Sequence, residues 1–395
     1  MSVPQRMKFG VFLAPFHRVG DSPTVAFERD LELLQWLDTL GYDEAYIGEH
    51  HSAGWETISS PEVFIAVAAE RTRHIRLGTG VVSLPYHHPF MVASRMALLD
   101  HLTRGRVILG VGPGALVSDA YLLGIDPARQ REMMDESLGI ILRLFQDPEP
   151  ITYESDWFRL REATLQVRPY QQPHMPIAVA SVESPSGVQL AGKHGAAVLS
   201  LSVPRQRVRR TNLKDLWRIA EETAAEHGKA MRREDWRLVV PVHLTDSRSE
   251  AIEDVRRGGA QFLTEYWRDT LGYPIPDVPP DRMVDFMVEH GLWIVGTPED
   301  GIEGIRRLQE ASGGFGGLLV SVQDWAPREK LLRSYELLAR YVAPQFQTSA
   351  QGIQRSQRWA GARARELQDA RAVALQRADA RYYGPPKAPP EGPAA

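Results

Sequence analysis

The 395-residue sequence predicts a single (β/α)8 barrel, the TIM-barrel fold, with insertions and a C-terminal helical extension. Short β-branched or apolar runs alternate with amphipathic stretches of helical period, which is typical of strand and helix units around a parallel sheet. Eight such units fit between residues 8 and 342, and a barrel of about 250 residues with insertions reaches this length. A doubly wound sheet is the alternative, but its G-x-G-x-x-G fingerprint is missing after the first strand.

The first four units are indicated by helix start and stop signals as well as by periodicity. Leu31 and Leu34 belong to the apolar stripe of the first helix, and Gly41 follows it where helices prefer glycine. Ser60 and Pro61 mark the start of the second helix, as N-cap and first-turn proline. The predicted elements alternate strand and helix at residues 8–15, 24–40, 43–48, 61–71, 75–84, 88–101, 106–111 and 126–145.

Two insertions interrupt the second half of the predicted barrel. Residues 148–173 place Tyr153 and Trp157 in a polar setting that suits a hairpin between two units. Residues 269–281 are rich in proline and polar residues, so we expect a mobile loop that acts as a lid over one barrel mouth. The remaining predicted strands are at 177–181, 196–202, 236–244 and 315–322, with helices at 184–194 and 327–341.

The character of the sequence changes after residue 342, so we predict a barrel domain at 1–342 and an extension at 343–395. The extension carries eight basic and four acidic side chains, whereas the whole chain carries 46 basic and 50 acidic ones. Its residues 351–381 have helical composition, and the Pro-rich end is expected to be disordered. We expect a solvated helix on the acidic body or on a second subunit rather than one that binds nucleic acid or a membrane.

Composition excludes several functional classes. The formal net charge of −4 argues against a protein whose main task is to bind nucleic acid. The absence of cysteine excludes disulfides, thiolate catalysis, iron–sulfur clusters and Cys-type zinc sites. The start lacks an apolar signal core and no apolar run reaches about 18 residues, so we expect a cytoplasmic protein without a membrane partner.

Unusual polar groups follow the predicted strands, at the barrel face where active sites form. Glu49, His50 and His51 follow the second strand, and a second histidine pair, His87 and His88, follows the third. Two histidine pairs could indicate a metal site, since imidazole is a common zinc or iron ligand. Neighbouring side chains after a strand point in opposite directions, however, and no third ligand is evident. We therefore predict no metal, with one imidazole of each pair facing the cavity.

Residues 183–187 (Glu-Ser-Pro-Ser-Gly) precede a predicted helix and form a candidate anion site. Hydroxyl and backbone N–H groups at a helix N-terminus attract phosphate, although simple helix capping explains the same serines. Arg131 could extend its guanidinium to the same anion, or could be an ordinary surface residue. Gly112 and Gly114 remove side chains at a strand end, which would let a flat ring approach, or form an ordinary turn.

Five segments together resemble the luciferase-like, flavin-dependent monooxygenase family, most closely its limonene monooxygenase-like branch. The resemblance covers about residues 8–345, in order and at appropriate spacing. It implies a barrel of the bacterial luciferase-like type, reduced FMN as cofactor, O₂ as co-substrate and a separate NAD(P)H-dependent flavin reductase as partner. We further expect a homodimer or higher homo-oligomer. The segments are KFGVFLAP, GYDEAYIGEHHSAG, RTRHIRLGTGVVSLPYHHPF, LLDHLTRGRVILGVGPG and VASVESPSG.

The resemblance also implies roles for single residues. His50 would stabilise or protonate the oxygenated flavin, and an ordinary imidazole pKa of about 6.5 would suit that task. The Gly80–Val81 bond falls where these barrels carry a non-prolyl cis peptide under the flavin ring. Bacterial luciferase has a Cys-Arg pair where this chain has Gly112 and Pro113, so light emission is not expected. The residues implied to bind the cofactor are Gly80, Val81, Gly112, Arg131, Glu183, Ser184, Ser186 and Gly187.

Aromatic residues near the predicted mouth suit a dry substrate cavity, although each of them could equally be core packing. The expected reaction is oxygenation of a small apolar molecule such as a terpene, ketone or aromatic compound. A deazaflavin-dependent oxidoreductase that transfers hydride is the alternative on the same fold, and a noncatalytic flavin-binding protein is a more distant one. The candidate pocket residues are Phe12, Trp55, Tyr86, Phe90 and Trp325.

Overall fold

The computed structural model describes residues 6–181, 185–202 and 212–384. Nine parallel strand segments form the eight staves of a closed barrel, because β3 and β4 are consecutive pieces of one stave and β3 also pairs with β5. The predicted TIM barrel is therefore confirmed. The strands are β1 Lys8–Phe16, β2 Glu44–Ile47, β3 Arg76–Thr79, β4 Val82–Ser83, β5 Val107–Gly112, β6 Ile151–Glu154, β7 Arg159–Ala163, β8 Ile177–Ser181, β9 Ala197–Leu201, β10 Trp236–Val240, β11 Val242–Leu244, β12 Ile294–Gly296 and β13 Gly317–Gln323.

Helices follow the strands and, up to Gln347, cover the outside of the barrel. Two stretches, Phe262–Thr270 and Leu338–Val342, are π-helical, and three short turns at Leu84–Tyr86, Arg233–Asp235 and Pro280–Arg282 are 3₁₀-helical. The α-helices are α1 Pro23–Leu40, α2 Pro61–Arg71, α3 Pro89–Leu102, α4 Val117–Leu122, α5 Gln130–Gln146, α6 Ser186–His194, α7 Leu213–Glu226, α8 Arg248–Gln261, α9 Met283–Glu289, α10 Pro298–Ser312, α11 Arg328–Leu337, α12 Ala343–Gln347, α13 Gln351–Ala362 and α14 Ala364–Tyr383.

The barrel buries two apolar layers because strand side chains alternate between its inside and its outside. One layer fills the space between strands and helices, with residues such as Val11, Leu77 and Leu138. The other fills the barrel interior, where Tyr46 and Leu319 pack together with residues of other staves. The packed interior supports the strand ends, and these position the loops of the candidate site.

Most element boundaries agree with the sequence within a few residues. Helix α2 and strand β8 have the predicted bounds, and β6 and β7 pair as the predicted antiparallel hairpin. The predicted helix at 126–145 begins only at Gln130, and a short helix, α4, precedes it without a predicted counterpart. The predicted strand at 236–244 is two pieces, because β11 leaves the barrel to pair with β12.

A buried ion pair closes the amino-terminal end of the barrel, opposite the candidate site. Arg237 on β10 donates from Nε to Oε2 of Glu44 at 2.7 Å and from Nη2 to Oε1 at 2.9 Å. Lys8 reaches the same carboxylate at 3.2 Å. Burial alone would raise the pKa of Glu44, but the hydrogen bonds and charges of Arg237 and Lys8 lower it to about 2.

The chain forms two compact units, one up to Gln347 and one from Thr348 onward. In the second unit α13 and α14 are helical as expected, and no residue of either helix is buried. Residues 385–395, the predicted disordered Pro-rich end, lie outside the described residues. None of the helices in the described part of the chain is long and apolar enough to cross a membrane.

Candidate active site

A cavity of about 570 Å³ lies at the carboxyl ends of the strands, and we call it the Arg131 cavity. Its wall includes Val81 after β3, Pro113 after β5 and Ser181 at the end of β8, which are three neighbouring staves. Arg131 on α5 and Ser186 at the start of α6 line the same cavity. The fold thus brings together Val81, Arg131 and Ser186, which are far apart in sequence and were predicted to bind one cofactor.

One end of the Arg131 cavity is built to attract an anion. The Nε of Arg131 donates to the Oγ of Ser186 at 3.2 Å, where α6 begins and its dipole is positive. A Cβ added to Gly187 would lie 2.3 Å from the carbonyl oxygen of Ala180, so only glycine lets the helix start approach β8 this closely. A guanidinium, a hydroxyl and a helix N-terminus in one place fit a phosphate group.

Charged groups of both signs line the cavity, with Glu132 and Asp135 beside Arg131 and Lys193. A hydrogen bond from His194, supported by Lys193, lowers the pKa of Asp135 to about 2. Lys193 lies 2.8 Å from that carboxylate and neutralises it, so Asp135 does not offset the charge of Arg131. The predicted lid segment, 269–281, contributes Tyr273 to the cavity wall.

Apolar side chains also line the Arg131 cavity, Val81 among them. The Gly80–Val81 peptide bond is cis, as the resemblance implies, and Val81 lines the cavity. A Cβ added to Gly112 would lie 2.4 Å from Cγ2 of Val81, so the absence of a side chain on β5 leaves room for Val81. Glu183 and Ser184, which were also predicted to bind the cofactor, lie outside the described residues.

His50 follows β2 and lies between two carboxylates. Its Nδ1 is 3.0 Å from Oδ2 of Asp119, and its Nε2 is 3.1 Å from Oε2 of Glu56. Both carboxylates are buried, and the side chain of His50 is only 13% exposed. Because both ring nitrogens face an acceptor, the arrangement matches an imidazolium that donates twice.

The protonation state of His50 differs from the expectation drawn from the sequence. Burial alone would lower the pKa of His50, but the charges and hydrogen bonds of Glu56 and Asp119 raise it to about 10. The expected titration near pH 6.5 is therefore wrong, because neither acid was foreseen. At neutral pH His50 is a cation. It can pass a proton to a ligand only when the ligand replaces Glu56 or Asp119 as the hydrogen-bond acceptor of one ring nitrogen.

Both carboxylates are held in place by further hydrogen bonds. Asp119 accepts from the backbone N–H of His51 at 3.1 Å and from the hydroxyl of Ser52. Glu56 accepts from the hydroxyl of Tyr266, which lies on the π-helical stretch next to the predicted lid. Sequence reasoning missed these residues, since Asp119 lies on the unpredicted α4 and Glu56 lies in a loop without a recognisable motif.

Glu49 organises the other histidines of the predicted site. Its Oε1 is 3.0 Å from Nε2 of His51 and 2.6 Å from Nε2 of His87, and its Oε2 accepts from the backbone N–H of Ser83 at 2.7 Å. His51 is thus anchored to a buried acid. Within residues 6–181, 185–202 and 212–384, no group of three or more histidines and acids is arranged to hold a metal ion.

The five predicted pocket aromatics are not brought into one cavity. Trp55 and Trp325 line a second cavity of about 240 Å³, which we call the smaller cavity. Phe12 packs against the cluster inside the barrel. The hydroxyl of Tyr86 accepts a hydrogen bond from α5, and Phe90 packs against the core between strands and helices.

The sequence of this chain is similar to known proteins over most of its length. Residues 7–313 match the family described as luciferase-like monooxygenase. The chain is 50% identical over 364 residues to 4-hydroxyprotoasukamycin monooxygenase of Streptomyces nodosus subsp. asukaensis, covering 91% of this chain and 98% of the relative. It is 47% identical over 342 residues to limonene 1,2-monooxygenase of Rhodococcus erythropolis, covering 86% of this chain and 87% of the relative.

A solved structure extends the comparison to a bound cofactor. The oxygenating constituent of 3,6-diketocamphane monooxygenase from Pseudomonas putida, a type II Baeyer-Villiger monooxygenase in complex with FMN, superposes with a TM-score of 0.72. Sequence identity is 26%, and the match covers 86% of this chain and 99% of that one. The chain therefore belongs to the luciferase-like monooxygenase family and is a flavin-dependent monooxygenase.

Proposed function

We propose that this chain is the oxygenase component of a two-component system. It would take reduced FMN from a separate NAD(P)H-dependent flavin reductase and use O₂ to oxygenate a small apolar substrate such as a terpene, ketone or aromatic compound. The observation that carries the proposal is the Arg131 cavity, which is lined both by the anion-attracting groups Arg131 and Ser186 and by apolar side chains such as Val81. A molecule with a phosphate at one end and a flat ring at the other fits both.

The residues of the chain have separate tasks in this proposal. Arg131, Ser186 and the start of α6 hold the phosphate, because a dianion there gains charge-assisted hydrogen bonds and a favourable dipole. Val81 and Gly112 shape the support for the ring. His50 holds two protons between carboxylates beside the barrel mouth and is the proposed proton donor. Reduced flavin, when bound, supplies the chemistry that activates O₂.

Oxygen consumption and product mass test the proposal most broadly. The purified chain receives reduced FMN and O₂ with a panel of terpenes, ketones and aromatic compounds, and parallel reactions receive reduced deazaflavin. In the reactions with reduced FMN, but not in those with deazaflavin, we expect oxygen uptake and a product one oxygen atom heavier than its substrate. Turnover with deazaflavin and none with FMN would favour hydride transfer, the alternative reaction on this fold, and would overturn the proposal.

Arg131→Ala is expected to weaken the affinity for reduced FMN by about tenfold or more, since a hydrogen bond to a charged group contributes about 1.5 to 3 kcal/mol. An anaerobic flavin titration measures the effect. Arg129→Ala is the matched control, because Arg129 is a nearby arginine that pairs with Asp156 and does not line the Arg131 cavity. Equal affinities of wild type and Arg131→Ala would place the phosphate elsewhere.

The proposed assembly is a homodimer through α2 and α3. Val63, Val67, Met91, Leu98 and Leu102 on these helices are between 45% and 63% exposed, which is unusual for one face of a monomer. A second copy of the same face would cover them in a two-fold symmetric contact.

Leu98→Glu is expected to shift the protein from dimer to monomer, because it would bury a charge in the proposed contact. Light scattering after size separation measures the mass, and Val25→Glu, at an exposed apolar residue on α1, is the control. A monomeric wild type, or a Leu98→Glu variant of unchanged mass, would contradict this assembly.

A further inference from the structure

Tyr266 connects a distant helix to the carboxylates around His50. It lies on the π-helical stretch Phe262–Thr270, which continues directly from α8, and its hydroxyl donates to Oε1 of Glu56. The other oxygen of the same carboxylate, Oε2, is 3.1 Å from Nε2 of His50. The two oxygens of Glu56 thus bind two different donors, and the hydrogen bond from Tyr266 turns Oε2 towards the histidine.

The two carboxylates beside His50 are held from different parts of the chain. Asp119 accepts from the backbone N–H of His51 at 3.1 Å, so the residue that directly follows the histidine anchors this acid. The hydroxyl that donates to Glu56 comes instead from Tyr266, 210 residues away. The contact between Glu56 and His50 therefore depends on an element outside the loop that carries both residues.

Aromatic packing fixes Tyr266 in the position from which it donates. The residue is only 1% exposed, and its ring centroid lies 4.9 Å from that of Phe16 and 5.7 Å from that of Trp55. Phe16 forms a backbone bridge with Glu56, and Nε1 of Trp55 donates to the hydroxyl of Thr270 at 3.2 Å. The π-helical stretch is thus fastened to the loop of Glu56 at several points, and π-helical turns occur frequently at functional sites.

The charge of His50 depends on the carboxylates that surround it. Burial alone would lower its pKa, and the charges and hydrogen bonds of Glu56 and Asp119 raise it. A displaced Glu56 would leave one negative charge beside the ring instead of two. The titratable groups around His50 are Asp119 on α4, Glu56 in the loop after β2, Tyr266 behind Glu56, Tyr86, and His51 with its partner Glu49.

We propose that Tyr266 is a positioning residue for His50, because by holding Glu56 against Nε2 it keeps the histidine between two carboxylates and ready to donate a proton. This inference rests on the proposed function, in which His50 is the proton donor, and adds a residue that acts on it through Glu56. Without the hydroxyl, burial would penalise the charge of Glu56 more strongly. The carboxylate would then turn away or take up a proton, and either change removes a negative charge from the side of Nε2.

The titration of His50 in the flavin-free protein tests the role of Tyr266. NMR follows the imidazole signal against pH, and the signal is identified by its absence in His50→Gln. We expect the wild-type histidine to lose its proton near pH 10. In Tyr266→Phe it should do so about one pH unit lower or more, which is a tenfold loss of proton affinity.

Two comparisons separate positioning from a general effect on the fold. Tyr42→Phe is the matched control, because the hydroxyl of Tyr42 is also buried and donates to the carbonyl of Tyr335 at 2.9 Å, before β2 and not after it. It should leave the titration of His50 unchanged. Adding Tyr266→Phe to Glu56→Gln should change the proton affinity of His50 by less than about twofold, since the tyrosine acts through that carboxylate.

Turnover gives an independent measurement of the same role. With reduced FMN and O₂, coupling in Tyr266→Phe should begin to fall at a pH about one unit lower than in the wild type. If this variant does not fold, Glu56→Asp, which keeps the charge but shortens the side chain, should lower the pKa of His50 in the same way.

The outcomes distinguish a failure of this inference from a failure of the proposed function. A wild-type His50 that titrates near pH 6.5, an unchanged or raised pKa in the folded Tyr266→Phe variant, or an equal shift in the Glu56→Gln background would overturn the positioning role. Absence of FMN-dependent oxygenation in the wild type would overturn the proposed function, whereas the effect of Tyr266 on Glu56 and His50 would still be measured without flavin.

Discussion

His50→Gln is expected to lower product formation by about 100-fold or more, because it removes the proposed proton donor, and general acid catalysis typically contributes this much. The variant keeps a side chain of similar length that can donate one hydrogen bond to Asp119 or Glu56. Reduced FMN should still bind, because the residues proposed to hold its phosphate lie on α5 and α6. Oxygen should still be consumed but released as hydrogen peroxide.

The loss of coupling is measured by quantifying product, hydrogen peroxide and oxygen uptake in the same sample. His51→Gln is the matched control, since His51 contacts Glu49 and neither Asp119 nor Glu56 through its ring, and it should keep most of the coupling. Thermal unfolding of both variants separates loss of chemistry from loss of fold. Full coupling in a folded His50→Gln variant would contradict the role of His50, and loss of flavin binding alone would make it a cofactor ligand.

The pH dependence follows from the raised pKa of His50. A group whose pKa is higher in the folded state stabilises that state while it is charged, so its contribution is complete below about pH 6.5. This contribution to the free energy of unfolding is lost as the pH rises towards about 10, which is the pKa of His50 in the folded state. Because a group with a pKa of about 10 stays protonated throughout this range, coupling should stay constant between about pH 6 and 8, where an ordinary histidine would titrate.

Glu44→Gln is expected to lower the free energy of unfolding by about 3 to 5 kcal/mol, because it leaves the buried Arg237 without its partner. The bidentate contact at 2.7 and 2.9 Å closes the amino-terminal end of the barrel, where residues serve stability rather than chemistry. Denaturant unfolding measures the loss. Glu28→Gln removes the acid of an exposed pair with Arg71 and is the control, which should leave stability nearly unchanged.

Two further measurements sharpen the prediction for Glu44. Its pKa is lowered on folding, so its contribution is present above about pH 4.5 and is lost as the pH falls towards 2. Replacing Glu44 and Arg237 together by methionine should recover much of the loss, since a well-packed apolar pair avoids buried charge. A loss below about 1 kcal/mol in Glu44→Gln would show that the buried pair is not a main source of stability.

The barrel was predictable because its signals are local. Alternation of strand and helix periods identifies each unit, and signals such as Gly41, which adopts a φ of +80°, mark where helices end. Boundaries were less accurate where tertiary contacts override local preference. Val242–Leu244 reads as a continuation of β10, for example, but pairs with β12 instead.

The candidate site was only partly predictable because half of it is assembled by contacts between distant loops. Motifs indicated Arg131 and His50, and the fold brings Arg131 to Ser186. Asp119 and Glu56, which decide the charge of His50, come from a short helix and a loop without motifs.

The origin of the oxygen atom in the product tests the central claim most directly. The chain is supplied with reduced FMN under oxygen-18 gas in ordinary water, and the product is analysed by mass spectrometry. The proposed function predicts one oxygen-18 atom per product molecule, and none when the label is in the water instead. A product without the label from the gas, or turnover that proceeds in the absence of O₂, would contradict monooxygenation.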